Sequence, residues 1–286
     1  MAAPSKERAR VYEVGPRDGL QNEKRMIPSA QKIALIDALS ACGFERIEAA
    51  SFVSPRAVPQ MADGAEVLAG VTRAPGVLYA ALTPNLRGYQ AARAAGADEV
   101  AVFASASEGF SRANVNASVA ESLERFAPVA EAARADGAPM RAYVSCAVAC
   151  PFDGPTPPAA VARLVESLLA LGAREVSLGD TIGAGTPETV RAMLREALEA
   201  APPELLAGHF HDTGGRAVEN VAAACDMGLR VFDAAVAGLG GCPFAPGAPG
   251  NVDTRAVVLR LEALGLATGV NLDRLAEAEA QATRIR

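Results

Sequence analysis

The sequence predicts an α/β fold, a (β/α)8 TIM barrel with a C-terminal helical extension. Three observations predict it. Short apolar or β-branched runs recur eight times, each followed by a turn and an Ala/Leu-rich segment of helical period. The 286 residues accommodate eight such units at about 30 residues each, the usual size of this barrel. No Ser/Pro/Gly-rich linker divides the chain, so residues 1–286 are expected to form one domain. The strand count favours the barrel over a doubly wound open sheet.

Taken in order, strands are expected at Arg10–Val14, Arg46–Ala50, Val77–Leu82, Glu99–Ala104, Met140–Ser145, Glu175–Gly179, Leu206–Phe210 and Val231–Ala235. In PSAQKIALIDALSACG, Pro28 and Ser29 start a helix and Gly43 stops it. PPAAVARLVESLLALG ends the same way at Gly172. The Pro-rich PFDGPTPP at 151–158 is expected as a loop before that helix. NLDRLAEAEAQATRIR, after the eighth repeat, supplies the helical extension.

Composition narrows the partners. With 27 basic against 33 acidic residues, a formal charge of −6 and no Lys/Arg run, no nucleic-acid face is expected, although a few local cations suffice for a small anionic ligand. No apolar stretch approaches the roughly 20 residues of a membrane span, and the start MAAPSKERAR lacks an apolar signal core. No membrane partner and a cytoplasmic location are therefore expected. The five cysteines, Cys42, Cys146, Cys150, Cys225 and Cys242, are odd in number and scattered, which reads as reduced thiols rather than a disulfide framework.

In such a barrel the chemistry sits where strands end and βα loops begin. The first of these loops, GPRDGLQNE, sets Arg17 beside Asp18 straight after an apolar run, either as an exposed ion pair starting a helix or as part of a site. The chain has two histidines, and both fall in the triplet His209-Phe210-His211 at the end of the seventh strand. Residues two apart on a strand point the same way, about 6.5–7 Å apart, so both rings can face one interior. They form either a hydrogen-bonded core pair or two ligands of a cation, for which Asp18 or Glu48 supplies the anionic company. A cation on Asp18 leaves Arg17 free to meet negative charge on a substrate.

The eighth loop, GLGGCP, lacks the Lys-Ser/Thr of a phosphate-binding loop, and its glycines imply a mobile or closely approached backbone. Cys242 at its tip is either an acid/base that arrives on closure or a small packed residue. Asn251 is either a neutral cation ligand or a helix N-cap. Cys146 and Cys150 have no second Cys/His pair to complete a zinc site.

Together these motifs resemble the 3-hydroxy-3-methylglutaryl-CoA lyase family, within the metal-dependent acyl-CoA lyase/synthase barrels that include isopropylmalate and homocitrate synthases. The likeness runs through EVGPRDGLQNE, IEAASFVSPRAVPQM, LTPNLRG, YVSCAVACPFDG, SLGDTIGAGTP, HFHDT and VAGLGGCPFAPGAPGN, in order. GPRDGLQNE and GLGGCP are the specific stretches. The resemblance implies metal ligands Asp18, His209, His211 and Asn251, with Glu48 as a supporting carboxylate, a catalytic Arg17 and a catalytic loop cysteine, Cys242. It further implies Mg²⁺ or Mn²⁺, an acyl-CoA substrate, a homodimer or higher homo-oligomer, and cleavage to acetyl-CoA and acetoacetate. Lys24, Arg56 or Arg112 are candidates for the CoA phosphates from charge alone.

Two departures stand out. Gly214-Gly215-Arg216 follows Thr213 where an aromatic residue and then Gly-Gln are expected, and Pro249 stands where Ser is commoner. A missing aromatic side chain at Gly214 implies a wider acyl pocket, hence a lyase for longer 3-alkyl homologues as an alternative. A condensing synthase on the same barrel and a non-catalytic metal-binding scaffold are the other two.

Overall fold

The computed structural model describes residues 6–242 and 245–286, with the side chains of Cys242 and of residues 245–249 outside that description. Eight parallel strands close into a barrel: β1 Arg10–Glu13, β2 Arg46–Ser51, β3 Leu78–Leu82, β4 Glu99–Ser105, β5 Met140–Ser145, β6 Glu175–Asp180, β7 Leu206–Phe210 and β8 Val231–Ala234. Each pairs with its neighbours in sequence. The ring is sealed by β1 and β8, in register Arg10↔Val231 through Glu13↔Ala234. The strands at 140–145 and 206–210 have the expected bounds, and each of the others differs by one residue at one end.

The helices are α1 Ser29–Ser40, α2 Gly64–Gly70, α3 Leu86–Ala94, α4 Glu108–Val115, α5 Val119–Ala135, α6 Pro158–Leu171, α7 Pro187–Ala200, α8 Ala217–Asp226, α9 Thr254–Ala263 and α10 Leu272–Ile285. Pro28 precedes α1, and Gly43 turns the chain at φ +93°, where a Cβ would lie 2.4 Å from the Gly269 carbonyl oxygen. Gly172 ends α6 in the left-handed region. The fourth repeat carries two helices, because Asn116 breaks the path at φ 49° and Ser118 with Glu121 restarts it as a capping box. The 151–158 stretch precedes α6 as expected, with Gly154–Pro155 pairing back on Ala149–Cys150.

Between strands and helices lies one apolar layer. Ile47, Val100, Val144 and Leu178 from the strands join Leu35, Leu39, Leu168 and Leu194 from the helices in a single buried cluster. Each such side chain contributes about 1.5–3 kcal/mol on burial. The barrel interior is instead partly polar. Buried Arg141 donates to both oxygens of Asp233, at 2.7 and 3.1 Å, and to Glu175 at 2.7 Å, with its guanidinium 4.2 Å from the Tyr12 ring centroid. Tyr12 donates to Glu99 at 2.9 Å. A buried charge is tolerated when paired and hydrogen-bonded in this way.

Candidate active site

The end of β1 runs into one widened helical turn of π type, Gly15–Gly19, in which Val14 O receives the N–H groups of Arg17, Asp18 and Gly19 at 3.2, 2.8 and 3.2 Å. Both glycines are required by close approach. A Cβ on Gly15 would lie 2.6 Å from Glu13 Oε1, and one on Gly19 2.7 Å from Leu239 Cβ. Glu13 itself accepts from the backbone of Gly15 and Val236 and from the Thr254 hydroxyl. The turn thus sits at the junction of the first and eighth repeats.

Arg17 is only 5% exposed, which removes the reading of GPRDG as an exposed ion pair. Its Nε donates to Glu48 Oε2 at 2.6 Å and its Nη1 to Asp18 Oδ1 at 2.6 Å, while Tyr143 presents its ring 5.5 Å from the guanidinium carbon. Burial opposes the charge of Arg17, but Glu48 and then Asp18 outweigh it and raise its pKa. Burial pushes the Glu48 carboxyl up, partly offset by Arg17. Asp18 accepts also from Gln21 at 3.0 Å and Asn251 at 2.8 Å. Burial alone would raise Asp18; Arg17, the two histidines and the Asn251 bond bring it down to about 2. It is an ionised acceptor.

His209 near the end of β7 and His211 just beyond it have ring centroids 5.2 Å apart. Nitrogen atoms of both and a carboxylate oxygen of Asp18 lie within 4.8 Å of one another, the one such group found among the described residues. Asp18 rather than Glu48 is therefore the anion facing the histidine pair. Burial lowers the pKa of His209, but Asp233, 3.1 Å from Nδ1, reverses the shift upward, with help from Asp18. His211 is pushed down to about 4 by burial and by His209, so it is neutral near pH 7, and its buried Nδ1 has no hydrogen-bond partner. A buried imidazole nitrogen without a partner, on a ring grouped with an ionised carboxylate, is the arrangement a divalent cation satisfies, and the mixed nitrogen and oxygen donors suit a hard to borderline ion. The residues fit the metal.

Asn251 is buried, bridges His211 across an antiparallel backbone pair, and is not an N-cap. That position belongs to Asp253, whose side chain accepts from Ala256 N at 3.1 Å. Close approach also explains the glycine loop. Gly240 stands at φ +109°, where a Cβ would lie 2.9 Å from Asn251 Nδ2, and a Cβ on Gly250 would lie 2.9 Å from the Gly241 carbonyl carbon. The backbone of Gly241–Cys242 pairs with Ala245–Pro249. The side chains of Cys242 and Pro249 fall outside the described residues.

Arg17, Asp18, Gln21, Tyr143, His209 and His211 line a cleft of about 330 Å³ at the C-terminal mouth of the barrel, walled on its apolar side by Val53, Leu82, Phe103 and Phe110. Lys24, Arg56 and Arg112 are exposed and do not line it, and Arg112 pairs with Glu108 at 3.9 Å. Gly214 does not line it either. A Cβ there would lie 2.5 Å from the Gly183 carbonyl oxygen, so the small residue fits two loop backbones together and opens no acyl pocket. The expected wider pocket is thus corrected, because the position faces backbone. Cys146 is pushed up to about 12 chiefly by burial, and Cys150 Sγ accepts from Ser107 and from the Phe152 and Asp153 backbone, so neither belongs to a metal cluster.

Gln21, Tyr143 and Asp233 belong to the site and carry weaker sequence signals. Gln21 lies inside the quoted motif, three residues past Asp18, at a spacing that puts it on the same helical face. Tyr143 and Asp233 carry no local signal, since only barrel closure brings them to His209.

Known proteins resemble this chain over nearly its whole length. The HMGL-like family model matches residues 8–281. The mitochondrial hydroxymethylglutaryl-CoA lyase of Bos taurus is 54% identical, over 95% of this chain and 83% of its own length. The crystal structure of the HMG-CoA lyase from Brucella melitensis superimposes with a TM-score of 0.97 at 60% identity, covering 98% of this chain and 99% of the other. An HMG-CoA lyase from Acinetobacter baumannii, solved in complex with coenzyme A and 3-methylmalate, gives 0.93 at 41% identity, covering 100% and 93%.

Proposed function

Because the chain belongs to the HMGL-like family, we propose that it is a divalent-metal-dependent carbon–carbon lyase that cleaves 3-hydroxy-3-methylglutaryl-CoA to acetyl-CoA and acetoacetate. The observation that carries the reading is the meeting of Asp18, His209 and His211 beside the buried Arg17 at the barrel mouth. Asp18, His209, His211 and Asn251 would hold the cation, Mg²⁺ or Mn²⁺. Bound there, it supplies Lewis acidity toward the 3-hydroxyl and a neighbouring carboxyl oxygen.

The chain's own groups do the rest. The hydroxyl proton goes to Asp18 or to solvent. Asp18 gains proton affinity when Arg17 turns from it toward substrate, because that contact is what most opposes its burial. The C2–C3 bond breaks, C3 becomes the ketone carbon of acetoacetate, and its electron pair passes to the thioester fragment as an enolate. Arg17 neutralises the enolate oxygen, with Glu48 holding the guanidinium from behind. Cys242 delivers a proton to the enolate carbon, a role supported by its glycine-rich loop beside Asn251.

The whole chain acts as one catalytic domain in this proposal. A homodimer and phosphate contacts from Lys24, Arg56 or Arg112 rest on the resemblance and on charge. A reducing cytoplasmic setting is supported by the free, buried Cys42, Cys146, Cys150 and Cys225; no helix among the described residues is long and apolar enough to cross a membrane. The test is a coupled assay for acetoacetate from 3-hydroxy-3-methylglutaryl-CoA with and without chelator. Chelator-sensitive release supports the reading, and absence of release with Mg²⁺ and Mn²⁺ both supplied overturns it.

A further inference from the structure

The imidazole of His209 is held from behind. Its Nδ1 lies 3.1 Å from Asp233 Oδ2, and the same carboxylate accepts from Arg141 through both oxygens and from the Ser177 hydroxyl at 2.8 Å. The Asp233 and Arg141 side chains are both fully buried. A carboxylate receiving this many donors beside a buried guanidinium is acceptor only, so the imidazole nitrogen facing it carries the hydrogen. In the neutral ring Nε2 then has the lone pair, and it is this atom that faces Asp18 Oδ2 at 4.0 Å.

Arg141 is fixed in turn, by Glu175 at 2.7 Å on its other side and by the Tyr12 ring beneath it. His211 has no such backing: its Nδ1 is unpartnered, and its backbone is set by the bridge to Asn251. We propose that Asp233, clamped by Arg141, is a positioning residue that fixes the tautomer and tilt of His209, so that Nε2 completes the cation site with Asp18 and His211. The inference rests on reading those three residues as that site. The polar layer inside the barrel then serves as a rigid strut, running from β5 and β8 to one ligand on β7.

The test is Mn²⁺ binding to the whole apo protein, followed by electron paramagnetic resonance, with melting temperature measured alongside. Asp233→Asn keeps the shape of the side chain but presents an amide where a carboxylate stood. It should weaken Mn²⁺ binding by about 10- to 100-fold and alter the spectrum of the bound ion. Glu175→Gln loosens Arg141 from the far side and should lower the melting temperature while leaving Mn²⁺ affinity within about threefold, well short of that loss. If Asp233→Asn does not fold, Arg141→Lys keeps the buried charge without the two-pronged contact and should weaken Mn²⁺ by at least about fivefold, between those limits. An undiminished affinity in whichever of these two variants folds overturns the proposal, as does an equal loss in Glu175→Gln. Failure of the wild-type protein to bind Mn²⁺ would instead overturn the cation site itself.

Discussion

Arg17 reaches Glu48 through two nitrogens, Nε and Nη2, each 2.6 Å from the single oxygen Oε2, while Glu48 Oε1 has no partner. The guanidinium is therefore pinned along one edge, and Nη1 on the other side is the part that meets Asp18 and the cleft. Arg17→Gln should keep Mn²⁺ or Mg²⁺ binding and lower kcat by about a thousandfold, as expected for a group that acts on developing negative charge. Glu48→Gln should lower kcat by a smaller factor with little change in KM, since Arg17 stays but loses its anchor. Steady-state kinetics on both variants check this, and an Arg17→Gln enzyme within tenfold of wild type would remove Arg17 from the chemistry.

Asp18→Ala and His209→Ala should each abolish tight metal binding and turnover, because each takes one donor from a set whose atoms lie within 4.8 Å. Elemental analysis of the purified variants gives the answer. Full occupancy in both would mean that the metal, if any, sits elsewhere.

The cysteines should separate by reagent. Cys42 and Cys146 are pushed up to about 12 by burial, so both stay protonated and inert to iodoacetamide at pH 8 in the folded protein. A thiol whose folded pKa is raised above its unfolded value of 9 contributes stability in full below pH 9 and loses it as pH rises toward 12. Inactivation by iodoacetamide should track labelling of Cys242, and Cys242→Ser should lower kcat without loss of metal. Peptide mass spectrometry after partial inactivation is the measurement; loss of activity that follows labelling of any other cysteine would return Cys242 to a packing role.

Gly214→Ala should cost about 1–3 kcal/mol in urea unfolding, the usual penalty of overpacking, because the added carbon meets the Gly183 carbonyl oxygen at 2.5 Å. The ratio of kcat/KM between 3-methyl and longer 3-alkyl substrates should not move. A changed ratio would show that this position shapes the acyl pocket after all.

What the sequence made legible follows from how local each signal is. The eight strands are readable because each is a short apolar run with its own turn, and β5 and β7 come out with their bounds correct. Arg17, Asp18 and the histidine pair are readable because their spacing is local. The choice between Asp18 and Glu48 as the anion beside the histidines is not local, and it depends on a π turn that the sequence does not announce. Asp233 reads as one more residue of an apolar strand until β8 is set against β7, where it stands opposite His209. Gly214 misleads for the same reason, since a glycine opposite a backbone carbonyl and a glycine opposite a substrate look alike in one dimension.

The bond between Asn251 and Asp18 spans 233 positions of chain, and Glu13 is tied to Val236 and Thr254 over similar distances. A chain emerging from the ribosome presents Asp18 long before Asn251. Until the eighth repeat arrives, β1 has no β8 to close against, and the nascent sheet has an open edge. Closing so long a loop costs entropy that only the completed ring recovers. Catalytic competence therefore waits on the eighth repeat: a chain cut between His211 and Val231 would carry both histidines but neither β8 nor Asn251, and so no working centre.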